Sequence, residues 1–280
     1  PVNNLINMQN MYSQYIVSNS RIKQFFIDFE NEDDNDDALH AEVNERELNV
    51  IELKNICFNY QNAESENNFG IGPINLRIER GEVLFIIGGN GSGKSTFINI
   101  LTGLYQPSSG ELILNDQEVV STPATIQKHI SAIFTDNHLF SNNYDNYSLE
   151  HNETYKELLK IMEMDKITGN DKEESARRSF SKGQSKRMSM IFALLENKPV
   201  IVLDEWAADQ DPHFRKYFYE KLVPKLKKEG KTIIAVTHDD AYFKHADRII
   251  KFDYGKIVKD INSKTDILQA EDLWYTEVTA

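Results

Sequence analysis

The segment Gly88-Gly89-Asn90-Gly91-Ser92-Gly93-Lys94-Ser95-Thr96 constrains this 280-residue chain more than any other. It follows an apolar run at 83–87 with the length of a buried strand, and it opens a helical pattern over 94–104. Strand, G-x-x-x-x-G-K-[ST] turn and helix in that order make a phosphate cradle. The glycines let successive backbone N–H groups converge on phosphate oxygens without Cβ clashes, and the positive end of the helix faces the same anion. Lys94 has the reach for β- and γ-phosphates, and the Ser95 hydroxyl is placed to coordinate Mg²⁺. Asn90, Gly91, Ser92, Gly93 and Thr96 complete the candidate loop.

A second apolar run, 200–203, ends in Asp204-Glu205. A fully buried strand delivers both carboxylates to its C-terminal edge, where open α/β sheets place their ligands. Asp204 is the natural partner for Mg²⁺, directly or through water, which leaves Glu205 to orient or deprotonate an attacking water.

From residue 50 onward β-rich runs alternate with helical patterns. The runs are 50–53, 83–87, 130–134, 200–203, 232–236 and 248–252; the helical patterns are 94–104, 155–162, 184–195 and 214–228. This order predicts an α/β domain with a parallel sheet, spanning 48–262. Turn signals at Pro107-Ser108-Ser109-Gly110 and at Asp116 bracket short strands expected to form an antiparallel sub-sheet.

Upstream, Leu5, Ile6, Met8, Met11, Tyr12, Tyr15, Ile16, Ile22, Phe25 and Phe26 follow helical spacing and predict an amphipathic helix over 1–29. The acidic run from Asn31 to Asp37 repels itself, so 30–47 reads as a linker. Residues 263–280 fit either a surface helix or a tail that reaches a partner. The chain opens on Pro1 with no basic-then-apolar leader, so a fragment of a longer polypeptide is expected. No run approaches the roughly 18 to 20 apolar residues of a spanning helix.

Net charge is −13, which argues against nucleic acid or an anionic membrane surface as the main partner. Cys57 is the single cysteine, so an intramolecular disulfide is impossible and a reducing compartment is expected, with Cys57 in the core.

Phe180-Ser181-Lys182-Gly183-Gln184 lies 23 residues before Asp204 and resembles the LSGGQ signature of ATP-binding-cassette (ABC) ATPases. Ala208-Asp209-Gln210-Asp211 is similar to that family's D-loop, Thr237-His238 to its switch histidine, and Tyr60 to the aromatic residue that stacks on adenine. The resemblance covers roughly residues 48–260. It implies a P-loop NTPase of the ABC ATPase type: a parallel core sheet, an antiparallel β sub-sheet and an α-helical subdomain. ATP and Mg²⁺ are the implied cofactors, with His238 at the γ-phosphate. Ser181, Gly183 and Gln184 open a helix and form a second anion-binding terminus. In the family that terminus completes the site of the opposite subunit, which implies a head-to-tail homodimer around ATP.

The sequence departs from the family pattern at four places. Thr135 stands where the Q-loop glutamine falls and is too short to copy it, so contact with Mg²⁺ is expected to differ, with Asp136 as a helper. Lys182 replaces a signature glycine, Trp206 a proline, and Asp209-Gln210 the usual Ala-Leu.

The stretches 203–212 and 237–243 look like those of bacterial exporters of cyclic and siderophore-type peptides. In these a membrane domain precedes the cassette, and Ser18 to Phe26 resembles the helix leaving its last span. The resemblance therefore implies the ATPase domain of an exporter at the cytoplasmic face of the bacterial inner membrane. The alternative is a stand-alone ATPase subunit docking on separate permease chains. Soluble ABC ATPases of DNA repair insert a long coiled coil between phosphate loop and signature, whereas 87 residues separate Lys94 from Ser181 here. Translation-type members carry two cassettes in one chain.

Overall fold

The computed structural model describes residues 47–60, 69–135, 152–168 and 180–262. The helix expected over 1–29, the linker up to residue 46, Asp136 and the segment 263–280 lie outside them. The chain divides into two compact units, Pro1–Glu47 and Leu48–Ala280, and all of the strands and helices described belong to the second.

The strands are β1 (Val50–Asn59), β2 (Gly70–Glu79), β3 (Val83–Gly88), β4 (Ser109–Leu114), β5 (Glu118–Val119), β6 (Ile130–Ile133), β7 (Val200–Asp204), β8 (Thr232–Val236), β9 (Arg248–Asp253) and β10 (Lys256–Asn262). The helices are α1 (Lys94–Leu101), α2 (Pro123–Gln127), α3 (Glu153–Ile161), α4 (Asp165–Thr168), α5 (Lys182–Leu195), α6 (Pro212–Tyr217) and α7 (Val223–Lys228). One sheet runs β10-β9-β3-β8-β7-β6, parallel except for β10; the other is the antiparallel β2-β1-β4-β5.

Every residue of β3, β7 and β8 is buried, because both faces of the parallel sheet are covered. Successive side chains point to opposite faces. Val83, Phe85, Ile87, Ile201, Leu203, Ile233 and Ala235 pack on one side with α5 and the helices after β7. Leu84, Ile86, Val200, Val202, Ile234 and Val236 pack on the other with α1 and the antiparallel sheet. Ile86 is level with Val236, and Val236 with Asp204, so β8 and β7 end together and β3 runs two residues further, to Gly88. At a strand spacing of about 4.8 Å, the phosphate loop after β3 and the carboxylate pair after β7 lie about 10 Å apart on one edge.

Two strands escape sequence reading. β2 starts Gly70-Ile71-Gly72-Pro73, which reads as a turn, yet Ile71, Ile74, Leu76 and Ile78 enter the core. β10 is an edge strand with no buried residue: Ile257, Lys259 and Ile261 are half-buried and alternate with exposed positions. The helix expected over 214–228 is interrupted by a π turn, Phe218–Leu222, in which the Val223 N–H bonds to the Phe218 carbonyl. Pro224 follows at once; it has no N–H to give the Glu220 carbonyl, and its ring crowds that carbonyl in a regular helix. Cys57, expected in the core, is half-buried where the register of β1 with β4 shifts.

α6 is capped by Asp211, whose Oδ1 accepts the Phe214 N–H at 3.0 Å. That bond, with Arg187 beside it, holds the Asp211 carboxyl below its usual range. Asp211→Ala should cost about 1 kcal/mol at pH 7, read from urea midpoints. A depressed pKa means stability that is present above the ordinary carboxylate range and lost as pH falls through the folded value, so the difference should shrink below about pH 4.

Candidate functional site

The phosphate loop takes its shape from glycines at positive φ. Gly88 sits at φ 146° and Gly93 at φ 104°. A Cβ would stand 2.3 Å from the Phe252 carbonyl oxygen at the first and 2.8 Å from Ile71 Cγ2 at the second, so both are fixed by packing. A Cβ at Gly89 or Gly91 meets nothing within 4 Å, and these two form the open side of the cradle. Asn90 is exposed beside them. Lys94 Nζ donates to the carbonyls of Gly88 and Gly89, 2.9 Å each. Burial lowers its pKa, while Glu205 and Asp204 act the other way. Ser95 is exposed in the first turn of α1, and the Ser92 Oγ is buried with no hydrogen-bond partner.

Asp204, 5% exposed, closes β7. Its Oδ2 accepts from the Thr135 hydroxyl at 3.0 Å, and its Oδ1 is buried with no partner. Burial raises its pKa, and the bond from Thr135 opposes that rise. An unpartnered carboxylate oxygen close enough to Lys94 to act on its charge fits a hard divalent cation shared with phosphate. Among the described residues no three His, Cys, Asp or Glu side chains form a metal cage, so phosphate and water oxygens would complete the shell. Thr135 stands one hydrogen bond behind Asp204.

Glu205 adopts the left-handed conformation, φ 49° and ψ 34°. Its N–H donates to the Val236 carbonyl at 3.2 Å, and its own carbonyl accepts from Lys186 Nζ at 2.8 Å. The carboxylate Oε1 lies 3.4 Å from His238 Nε2, and both side chains are partly exposed. The residues on either side of His238 are fixed by hydrogen bonds. The Thr237 hydroxyl donates to Tyr219 Oη at 2.7 Å, and Tyr219 Oη donates to Asp239 Oδ2 at 3.0 Å. Arg215 then joins Asp239 to the segment after Glu205, bonding the carbonyls of Ala207, Ala208 and Gln210.

Tyr60 follows β1, and its Oη lies 3.0 Å from Thr96 Oγ1, which brings the ring beside the phosphate loop. Phe58 and Tyr105 meet it edge-on, at 5.1 and 6.0 Å.

Ser181 caps α5 in a capping box: its Oγ accepts the Gln184 N–H, and the Gln184 side chain accepts the Ser181 N–H. The hydroxyl proton remains available to an anion. Among the described residues no hydrogen bond joins Ser181, Gly183 or Gln184 to the phosphate loop of the same chain. They rest instead on the 206–211 segment. A Cβ on Gly183 would stand 2.6 Å from the Asp209 carbonyl oxygen, and Gln210 Nε2 donates to the Gly183 carbonyl at 3.2 Å.

The unusual residues have partners here. Lys182 is exposed; Trp206, 1% exposed, packs on Phe214 and Phe218 and donates its indole N–H to the Lys186 carbonyl at 2.8 Å. Asp209 pairs with Lys186 at 2.7 Å, and Gln210 Oε1 accepts from Arg187 Nε at 2.9 Å. Lys186, Arg187, Arg215 and Tyr219 were missed by sequence reasoning. The available signal was a pair of adjacent bases, Lys186 and Arg187, one turn into the helix and directly before its apolar stretch 188–195.

Known proteins similar to this chain are ABC transporter ATP-binding proteins. Residues 71–208 match the ABC transporter family. The chain is 43% identical over 217 residues to the ATP-binding protein SyrD of Pseudomonas syringae pv. syringae, a match over 75% of this chain and 38% of SyrD. The chain thus spans well under half of that relative. It is 31% identical over 237 residues to the energy-coupling factor transporter ATP-binding protein EcfA1 of Staphylococcus aureus, covering 80% of this chain and 86% of EcfA1. Among solved structures, the dimeric ATP-binding cassette MJ0796 in a post-hydrolysis state bound to ADP and Pi superposes with a TM-score of 0.63 at 25% identity. That match covers 76% of this chain and 98% of the other. A bacterial Atm1-family ABC exporter with ATP bound shares the fold, with a TM-score of 0.64 at 15% identity over 84% of this chain and 43% of the exporter chain.

Proposed function

The chain belongs to the ABC transporter family and carries its ATPase cassette, and from that premise we propose that it is the ATP-hydrolysing domain of a membrane exporter. The observation that carries the reading is the Glu205 carboxylate, 3.4 Å from His238 Nε2 and close enough to Lys94 to act on its charge. Tyr60 stacks on the adenine. The amides of Asn90 to Thr96 and the Lys94 ammonium hold the phosphates. Ser95 and Asp204 would hold Mg²⁺ together with phosphate oxygens, and the cation would supply positive charge against that developing on the β- and γ-phosphates. Thr135 would act on that cation only through its hydrogen bond to Asp204. Glu205 takes the proton of the attacking water, and His238 contacts the γ-phosphate.

Ser181, Gly183 and Gln184 serve the nucleotide of a second copy, in a head-to-tail homodimer. The solved dimer of MJ0796 supports this assembly. We assign 48–262 to the cassette and 1–29 to a helix leaving a fused membrane domain, with 30–47 as the linker and 263–280 as a tail. The identity to SyrD, over a part of that longer protein, supports a larger transporter at the cytoplasmic membrane face. Peptide export rests on sequence resemblance. The near full-length match to EcfA1 favours a second reading, a separate ATPase subunit of another transporter system.

Because each site draws on two copies, ATPase activity should rise faster than linearly with protein concentration while the domain is mostly monomeric. Ser181→Ala should remove one charge-assisted bond to phosphate and lower activity about tenfold. Wild-type activity in Ser181→Ala, together with strictly linear concentration dependence, would overturn the shared site.

A further inference from the structure

We propose that Lys186 is a positioning residue for ATP hydrolysis: its ammonium holds Glu205 in the left-handed backbone conformation and ties that conformation to the signature helix. The inference rests on the reading of Glu205 as the base. Glu205 has φ 49°, a region that Asn and Asp tolerate through their short polar side chains, as Asn55, Asn115, Asp116 and Asn197 do elsewhere in this chain. Glutamate has no such short side chain; Glu163 at φ 54° and Tyr254 at φ 42° are the other long side chains in this region among the described residues. The Glu205 conformation has to be imposed from outside, and two backbone contacts impose it.

The first comes from the sheet, where the Glu205 N–H reaches the Val236 carbonyl at 3.2 Å. The second comes from α5, where Lys186 Nζ meets the Glu205 carbonyl at 2.8 Å. Lys186 is 2% exposed, and its charge is balanced by Asp209 at 2.7 Å. The grip continues one residue on, because Trp206 donates its indole N–H back to the Lys186 carbonyl. The peptide joining Glu205 to Trp206 is therefore held at its oxygen and through its next side chain by one residue of α5. Without the ammonium, the half-buried carbonyl keeps only the longer bond from the Ala208 N–H, 3.3 Å and local to the same turn, so the peptide gains freedom to rotate and Glu205 relaxes out of φ > 0. Rotation there swings the carboxylate away from His238.

Lys186 also lies on the helix that Ser181 caps. Gln210 fastens the first turn of that helix to the same loop, through the Gly183 carbonyl and Arg187. Within one chain, the terminus that meets a partner's phosphate and the carboxylate that acts on its own are thus parts of one braced unit.

The test is steady-state ATPase kinetics on Lys186→Met and Lys186→Gln, with binding of a fluorescent ATP analogue measured in parallel. Methionine keeps the side-chain length and removes the donor; glutamine restores an N–H donor without charge. Lys186→Met should lower kcat about 10- to 100-fold, the cost of a misplaced catalytic group, with KM and the Kd of the analogue unchanged. Lys186→Gln should recover most of the loss. A Lys186→Met protein with wild-type kcat overturns the proposal, as does a Lys186→Gln protein that falls as far as Lys186→Met. If Lys186→Met does not fold, Trp206→Phe decides: it keeps an aromatic ring but loses the bond to Lys186, so a wild-type kcat there also overturns the proposal. Glu205→Gln in the same assay separates the two claims. If it stays fully active, the base assignment fails; if it is inactive beside a normal Lys186→Met protein, only the role of Lys186 fails.

Discussion

Glu205→Gln should reduce ATP turnover by about 10²- to 10⁴-fold, the usual worth of a general base, while ATP affinity stays at the wild-type level. The substitution is close to isosteric. The contacts that set the left-handed conformation of residue 205 are made by its backbone, to Val236 and Lys186, and they survive the change. The phosphate loop, Lys94 and Asp204 are untouched, so binding persists. What is lost is the capacity to take a proton, since a carboxamide has no basic oxygen at neutral pH. Closed assemblies that form on ATP binding and open after hydrolysis should then accumulate. Light scattering on Glu205→Gln with and without Mg-ATP should show a monomer without nucleotide and a dimer with it. Wild-type turnover in this variant would remove Glu205 from the base role. A monomeric mass in both states would show that the cassette does not assemble by its own contacts.

How much of this molecule is legible in its sequence depends on how far each feature relies on residues distant in the chain. β3, β7 and β8 are buried on both faces and so appear as unbroken apolar runs, with the phosphate loop and Asp204-Glu205 directly attached to two of them. Contiguity makes those parts of the site legible. β2 is hidden because Gly70, Gly72 and Pro73 read locally as a turn, while its pairing with β1 decides its state. The π turn at 218–222 is hidden because Pro224 shifts the hydrogen-bond pattern without ending the helical run. In the site, Asp209 and Gln210 look from the sequence like departures from a family pattern. Their reasons lie over twenty residues away: Lys186 needs a counter-charge in a buried place, and Gly183 and Arg187 need the two ends of one carboxamide. Arg215 and Tyr219 are the same case, since the carbonyls and carboxylate they hold are assembled only when α6 and the π turn pack beside the ends of β7 and β8. Thr135 is too short to copy a glutamine; its hydroxyl meets Asp204 instead, one strand away in the sheet.

Lys94→Ala should act on the other half of the cycle and weaken nucleotide binding itself. Lys94 Nζ bonds the carbonyls of Gly88 and Gly89, so the ammonium lies on the inner wall of the loop. Burial works against its charge, and the nearby carboxylates Glu205 and Asp204 only partly offset that cost. A polyphosphate brought into the loop supplies the missing negative charge, and the ammonium becomes a charge-assisted donor to it. Losing one such interaction is worth about 1.5–3 kcal/mol, or about 10- to 150-fold in Kd. Lys94→Arg should not restore binding, because a planar guanidinium is longer and bulkier than the ammonium point charge that fits between two glycine carbonyls. Titration with a fluorescent ATP analogue reads both variants directly. The pattern opposite to Glu205→Gln is expected: affinity falls first, and turnover at saturating ATP falls through the same lost contact to the reacting phosphates. Wild-type affinity in Lys94→Ala would mean that the phosphates lie elsewhere than in the 88–96 loop, and the roles given to Ser95, Asp204 and Glu205 would fall with it.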